Sequence, residues 1–240
     1  VREREALIDP RPVMESLDGA RVVEISREQA KVVILRYEWL RTMPKIGRAY
    51  YGLFVGDEVA GVACFGVGPG TASRNVCGEE WRDRTICLER GACVHWAHPH
   101  SASFLIPRAC KLAADTYGWR VFYAYSDIEA GEIGTVYQAC NWLYLGRSVG
   151  RGSTFRTRYR DPSGEVVNSR RFRALLKATH ADRDEARRLL FGAGWTADRQ
   201  FDKGKYVGFY GPKRERVAAE RALRYPSFPY PKREVELLSE

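Results

Sequence analysis

Apolar residues recur along this chain with two different periods, and the points where the period changes outline its elements. Arg21 to Ile25 alternates as a first strand. Ser26 stands three residues before Gln29, a capping-box signature, and Ala30, Val33, Ile34, Tyr37 and Leu40 follow at helical spacing. Ala49 to Val55 and Glu58 to Val67 read as a hairpin about Gly56-Asp57. Gly66, Gly68 and Gly70 mark a loop, and Thr71 to Arg84 reads as an insertion without a clear period. Thr85 to Val94 is the expected central strand. Its alternation puts Cys87, Glu89, Gly91 and Cys93 on one face and Ile86, Leu88, Arg90, Ala92 and Val94 on the other. A helix from about Ser103 to Tyr117 follows, closed by Gly118, with Pro107 tolerated only in its first turn or at a kink.

The next stretch carries the most chemistry. Val121 to Tyr125 is β-rich and runs into Ser126 and Asp127; a glycine-containing link then leads to a brief helix with Ile133, Val136, Tyr137 and Cys140 on one stripe. A polar pair where a strand stops, with a tyrosine on the next helix, is how an α/β sheet presents chemistry at a carboxyl edge. Beyond it, Arg151 to Tyr159 and Glu165 to Asn168 form a hairpin around Asp161-Pro162-Ser163-Gly164. Ala181 to Phe191 is a helix, Lys205 to Tyr210 a strand, and Pro212 to Leu223 a helix opened by proline. Residues 1–20 read as an arm. The proline- and aromatic-rich tail from Arg224 is expected along the surface.

Charge divides the chain. From Arg147 onward there are 22 Lys plus Arg against 12 Asp plus Glu, whereas the first 146 residues hold 17 against 18. A neutral body with a cationic extension suits a polyanionic partner, with nucleic acid the first choice, although a basic solvated surface explains the numbers too. Arg156, Arg158 and Arg160 alternate on one strand; Arg170, Arg171 and Arg173 follow the hairpin, and Lys203 and Lys205 precede the late strand. These are the expected phosphate contacts. Aromatics such as Trp39, Tyr50, Tyr51 and Trp96 are available to stack on an extruded base, most of them also suiting a core. No apolar run approaches the roughly 18 residues of a membrane span, and the expected setting is cytoplasmic. The six cysteines lack paired spacing and read as free core thiols. Cys93, His95, His98 and His100 match no closed zinc pattern, so no metal is expected.

The run Ser126-Asp127, Gly134-Thr135-Val136-Tyr137-Gln138-Ala139 and Asn141-Trp142 resembles the Mom family of phage DNA-modification proteins, on a fold similar to the GNAT N-acetyltransferases. The likeness continues in Cys87-Leu88-Glu89-Arg90, in Lys205-Tyr206-Val207-Gly208-Phe209-Tyr210-Gly211 and in Pro229-Tyr230-Pro231-Lys232, so it spans almost the whole chain. It implies a mixed α/β (α+β) fold: a GNAT-like acyltransferase core over residues 21–150, with a central mixed sheet flanked by helices, and a basic C-terminal hairpin-and-helix elaboration over 151–240. It implies Tyr137 as general acid, where spacing alone equally suits an aromatic packing the helix on the sheet. Asp127 is placed to orient or deprotonate an amine, or simply to cap a turn. Glu89 is a substrate or base residue, or a buried structural carboxylate. Tyr37, Trp39, Tyr51, Arg90 and Ser126 are expected at the acceptor.

The donor loop departs from the acetyltransferase pattern: His95-Trp96-Ala97-His98-Pro99-His100-Ser101-Ala102-Ser103 holds no glycine. Val94, His95, Ser101 and Ser103 are its expected donor contacts, the serines through the helix N-terminus. The implied reaction places a carbamoylmethyl group on adenine N6 of double-stranded DNA, protecting it from restriction. Acetyl-CoA is the donor by fold resemblance. The product N6–CH2–CO–NH2, however, has the skeleton of glycine, which points to glycyl-tRNA. The rival readings are acylation of another amine (a hypermodified pyrimidine, a small molecule or a protein) and a non-catalytic nucleic-acid-binding protein.

Overall fold

The computed structural model describes residues 2–38, 40–127, 132–147, 156–167, 169–200 and 203–232. The chain divides into two compact units: Val1–Ser126 with Ile133–Gly146 and Gly204–Glu240, and Asp127–Glu132 with Arg147–Lys203. The boundary expected at residue 150 therefore gives way to an excursion, after which the chain returns to the first unit at Gly204.

In the first unit, helix α1 (Arg2–Ile8) lies within the expected arm, and β1 (Arg21–Glu24) leads into α2 (Arg27–Tyr37). Ser26 and Gln29 close the capping box as their spacing predicts: Ser26 Oγ accepts from the Gln29 amide and Gln29 Oε1 from the Ser26 amide. Strands β2 (Gly47–Val55) and β3 (Glu58–Gly66) form the hairpin. The stretch Thr71–Arg84 contains α3 (Ala72–Cys77) and a 3-10 turn (Glu79–Arg84). Then come β4 (Thr85–Cys93), α4 (Ser101–Tyr117), β5 (Val121–Ser126), α5 (Thr135–Ala139) and β6 (Leu143–Arg147), the last of which alternation does not reveal. The remaining strands and helices among the described residues, in order, are β7 (Arg156–Arg160), β8 (Val166–Val167), α6 (Ser169–Thr179), α7 (Arg183–Gly192), β9 (Thr196–Gln200), β10 (Gly204–Phe209) and α8 (Lys213–Arg221).

The seven-stranded sheet runs β1-β2-β3-β4-β5-β10-β6, with β4 and β5 parallel. Their pairing covers Thr85–Leu88 against Val121–Ala124 and goes no further. On the other edge of β4, Leu88 faces Phe65 and Arg90 faces Cys64, so Glu89 is the extra residue of a β-bulge. The bulge inverts the alternation beyond it. Cys87 packs with Tyr123 and Val207, whereas Cys93 joins Ile86 and Leu88 in the main core, so the two cysteines do not share the face expected of them.

That main core is built by α2 and α4 on the sheet around Phe65, Phe122, Leu53 and Ile34, all fully buried. Burying each such side chain contributes about 1.5–3 kcal/mol. Pro107 lies beyond the first turn of α4 and leaves the Ser103 carbonyl without its helical donor; the Cys140 thiol stands 3.9 Å from that oxygen and ties α5 to α4. All six cysteines are free, five of them buried.

The second unit has its own sheet, β8-β7-β9, and its own core of Tyr159, Val167, Phe172, Leu176, Ala186 and Leu190. Tyr159 stacks on Phe172 with centroids 3.6 Å apart. The hairpin turn forms as expected, Asp161 Oδ1 accepting from the amides of Ser163 and Glu165. Its first strand begins at Arg156; the segment from Arg151 to Phe155 lies outside the described residues. Helix α6 and strand β9 are not visible in the sequence pattern. No helix among the described residues is long and apolar enough to cross a membrane.

Candidate active site

Glu89 occupies the place where β4 leaves β5. Its Oε1 accepts from the Gly68 amide at 3.0 Å, and a Cβ on Gly66 would lie 2.1 Å from the same oxygen. Glycine at 66 is what lets the carboxylate lie against the loop after β3. Tyr123, one strand over, donates to the Val67 carbonyl at 3.1 Å, and burial pushes its phenol well up. Arg90 turns to Thr42, bonding its carbonyl at 2.9 Å, and to the backbone oxygen of Glu89 at 2.6 Å. The bulge therefore presents a half-buried carboxylate with one backbone donor at the open end of two parallel strands, a position where α/β sheets take ligands.

Tyr137 stands in a row of rings. It stacks on Trp142 (centroids 5.4 Å) and leans on Tyr206 (5.2 Å), which in turn meets Tyr144 at 5.1 Å. Tyr206 donates to the Ile133 carbonyl at 2.5 Å, and Gln138 Nε2 reaches both that carbonyl and the Tyr206 hydroxyl at 3.2 Å. Burial raises the Tyr206 phenol, so it stays a donor. Gln138 and Tyr206 have no role expected from sequence. Their link spans 68 residues and depends on β10 pairing with β5, which local pattern does not show. Ser126 is buried beside this row, facing Gly204, and its hydroxyl has no hydrogen-bond partner among the described residues. Cys140, next to the row, has its thiol pushed up to about 12 by burial, which favours the neutral thiol.

Around the donor loop the expectations divide. Val94 is buried and its amide is spent on the Ala60 carbonyl. His95 does not line an open loop: it is buried, with Nδ1 3.1 Å from the Tyr37 hydroxyl and Nε2 2.8 Å from the Asp9 carbonyl, because the N-terminal arm closes over it. That same bond commits Tyr37. Ser103 turns its hydroxyl back to the His100 carbonyl at 3.0 Å. Ser101 differs from the rest. It is wholly buried at the start of α4, and among the described residues its hydroxyl has no partner and no side chain caps this helix.

The remaining expected residues are scattered. Asp127 falls in the second unit, its Oδ2 3.5 Å from Lys203 Nζ. Tyr51, Tyr50 and Trp96 are buried, which removes them from stacking on a base; Trp39 lies outside the described residues. Lys205 is buried with its ammonium over Tyr225 at 3.9 Å, so it makes no phosphate contact from the surface. Arg160 is held by Asp198 at 3.1 Å and the Gly164 carbonyl at 3.0 Å. Arg171 and Arg173 are exposed on α6, while the side chains of Arg156, Arg158 and Arg170 lie outside the described residues. Among the described residues no group of three or more His, Cys, Asp or Glu is placed to hold a metal.

Comparison with solved structures finds similarity to spermidine N-acetyltransferase from Vibrio cholerae, at 9% identity and TM-score 0.44 over 80% of this chain and 94% of that one. An IAA acetyltransferase from Bacillus cereus matches at 14% identity and TM-score 0.40, over 79% and 99%. No curated protein matches the chain. A sequence profile of the Mom protein family matches residues 20–232, and the chain belongs to that family.

Proposed function

We propose that this protein transfers an acyl group to the exocyclic N6 of adenine in DNA, the role its family membership suggests. The observation that carries the transferase reading is the buried, unpartnered Ser101 hydroxyl at the uncapped head of a seventeen-residue helix. An unmade hydrogen bond there costs stability unless a ligand completes it, and a helix N-terminus with a hydroxyl donor suits a phosphate. Ser101 and the first-turn amides of Ala102 and Ser103 fit the phosphate-bearing handle of an acyl donor. Glu89 takes the proton that N6 loses as the N6–acyl bond forms. Tyr137 gives a proton to the departing group as its bond to the acyl carbon breaks. Asp127 already has Lys203, and the base role is assigned to Glu89.

The donor follows from the product. A glycyl ester would leave N6–CO–CH2–NH2. Attack of that amine on C6 through a five-membered ring, with cleavage of the old C6–N6 bond, gives NH–CH2–CO–NH2 with every atom retained. An acetyl thioester cannot reach this product. Incubating the protein and DNA with labelled glycyl-tRNA or labelled acetyl-CoA tests the choice: label entering DNA from glycyl-tRNA supports it, and label entering from the thioester alone overturns it.

Ser101→Ala is expected to weaken the donor about tenfold or more in KM, the worth of a hydrogen bond to a charged group. Thermal stability should be unchanged or slightly raised, because the substitution removes a buried hydroxyl that bonds to none of the described residues. A fall in stability with unchanged KM would make Ser101 structural.

Residues 147–203 carry 14 Lys plus Arg against 7 Asp plus Glu, and the second unit is the proposed DNA-holding part. Each cation removed from a DNA phosphate lowers the slope of log affinity on log salt by about 0.9. Arg171→Ala with Arg173→Ala should lower it by about 2, read from DNA binding across a salt series.

A further inference from the structure

We propose that Phe228 and Tyr230 form the stacking platform for the nucleobase, an inference that rests on DNA being the substrate. Of the aromatics that sequence offers for stacking, Tyr50, Tyr51 and Trp96 are buried and Trp39 lies outside the described residues; Tyr37, expected at the acceptor, is committed to His95. Among the described residues the exposed phenylalanine, tyrosine and tryptophan rings are Tyr117, Phe228 and Tyr230, at 41%, 49% and 40%. Tyr117 is already occupied, stacked on Trp119 at 4.6 Å and bonded to Glu24. Two rings remain, and they belong to one short segment.

That segment, Tyr225-Pro-Ser-Phe-Pro-Tyr-Pro-Lys232, has proline at 226, 229 and 231. Proline fixes its own backbone angle and pushes the preceding residue toward extended conformations, so both rings are presented at little further cost in order. The segment is tied at two points. The Phe228 amide donates to the Tyr144 carbonyl at 2.8 Å, and the Pro231 carbonyl accepts from Gln138 Nε2 at 3.4 Å. Both ties lead to Tyr137: Gln138 is its neighbour in sequence, and Tyr144 reaches it through Tyr206. Phe228 lies against Gly146, where a Cβ would sit 3.1 Å from its ring, so backbone supports one side while half the residue stays open. Exposed Lys232 adds a cation beside them. Half-exposed rings on a proline-stiffened segment, next to a positive charge and tied to the neighbours of the proposed acid, are what an unstacked base in a nucleic-acid strand would bind.

The test uses the full chain and two single strands of equal length, oligodeoxyadenylate and an abasic oligonucleotide, at fixed salt. The unsubstituted protein should prefer the adenine strand by about tenfold or more, the range of aromatic–base stacking. Phe228→Ala with Tyr230→Ala should abolish that preference without changing affinity for the abasic strand, and Phe228→Trp should keep it. Melting curves check that each variant folds. If the double variant keeps the preference, or the unsubstituted chain shows none, the platform is wrong while DNA as substrate stands. If the unsubstituted chain binds neither strand nor a duplex of the same length, the DNA reading falls with it.

Discussion

Tyr137→Phe is expected to lower base modification by at least about 100-fold while leaving the melting temperature where it was, the usual scale for losing a positioned general acid. The geometry makes this substitution informative. The Tyr137 ring is held by Trp142 and Tyr206 through its faces, and phenylalanine keeps those contacts. A residue that merely packs α5 on the sheet would tolerate the change with little loss in either measurement. Tyr137→Ala would confuse the two roles, because losing this partly buried ring also removes packing from the row and lowers stability. Turnover by mass spectrometry of the modified nucleoside and melting by circular dichroism together separate them.

Glu89→Gln should cost a similar 100-fold or more in turnover. Glutamine is nearly the same size, and its Oε1 can still accept from the Gly68 amide, so the loop between Gly66 and Gly68 keeps its seat. What disappears is the ability to take a proton from the attacking amine. If activity survives Glu89→Gln while Glu89→Ala melts early, the carboxylate serves the bulge rather than the chemistry.

The sequence is most legible where structure is local. The capping box at Ser26 and Gln29, the β2–β3 hairpin and the proline opening of α8 all depend on neighbours within a few residues, and each is where its pattern puts it. Legibility fails where distant segments decide. Alternation along β4 runs straight through Glu89 in the sequence, but pairing with β3 inserts a bulge there and sends Cys93 to the opposite side from Cys87. Strand β10 is visible, yet its place between β5 and β6 is not, because sequence order keeps it with the basic region. That misplacement hides the burial of Lys205 and the contact of Tyr206 with Tyr137. His95 looks like a loop histidine until the arm, 86 residues earlier, supplies the Asp9 carbonyl that holds it. Exposure is the least legible property of all: of four aromatics expected to meet a base, the three described are buried, and the open rings lie in a tail whose sequence reads as mere surface.

The most direct measurement is mass spectrometry of nucleosides from the DNA of cells expressing the protein or its Tyr137→Phe variant. The account predicts a deoxyadenosine carrying one carbamoylmethyl group in place of an N6 hydrogen, present with the unsubstituted chain and nearly absent with the variant. Unmodified deoxyadenosine in both samples, from cells in which the folded protein is abundant, would contradict it.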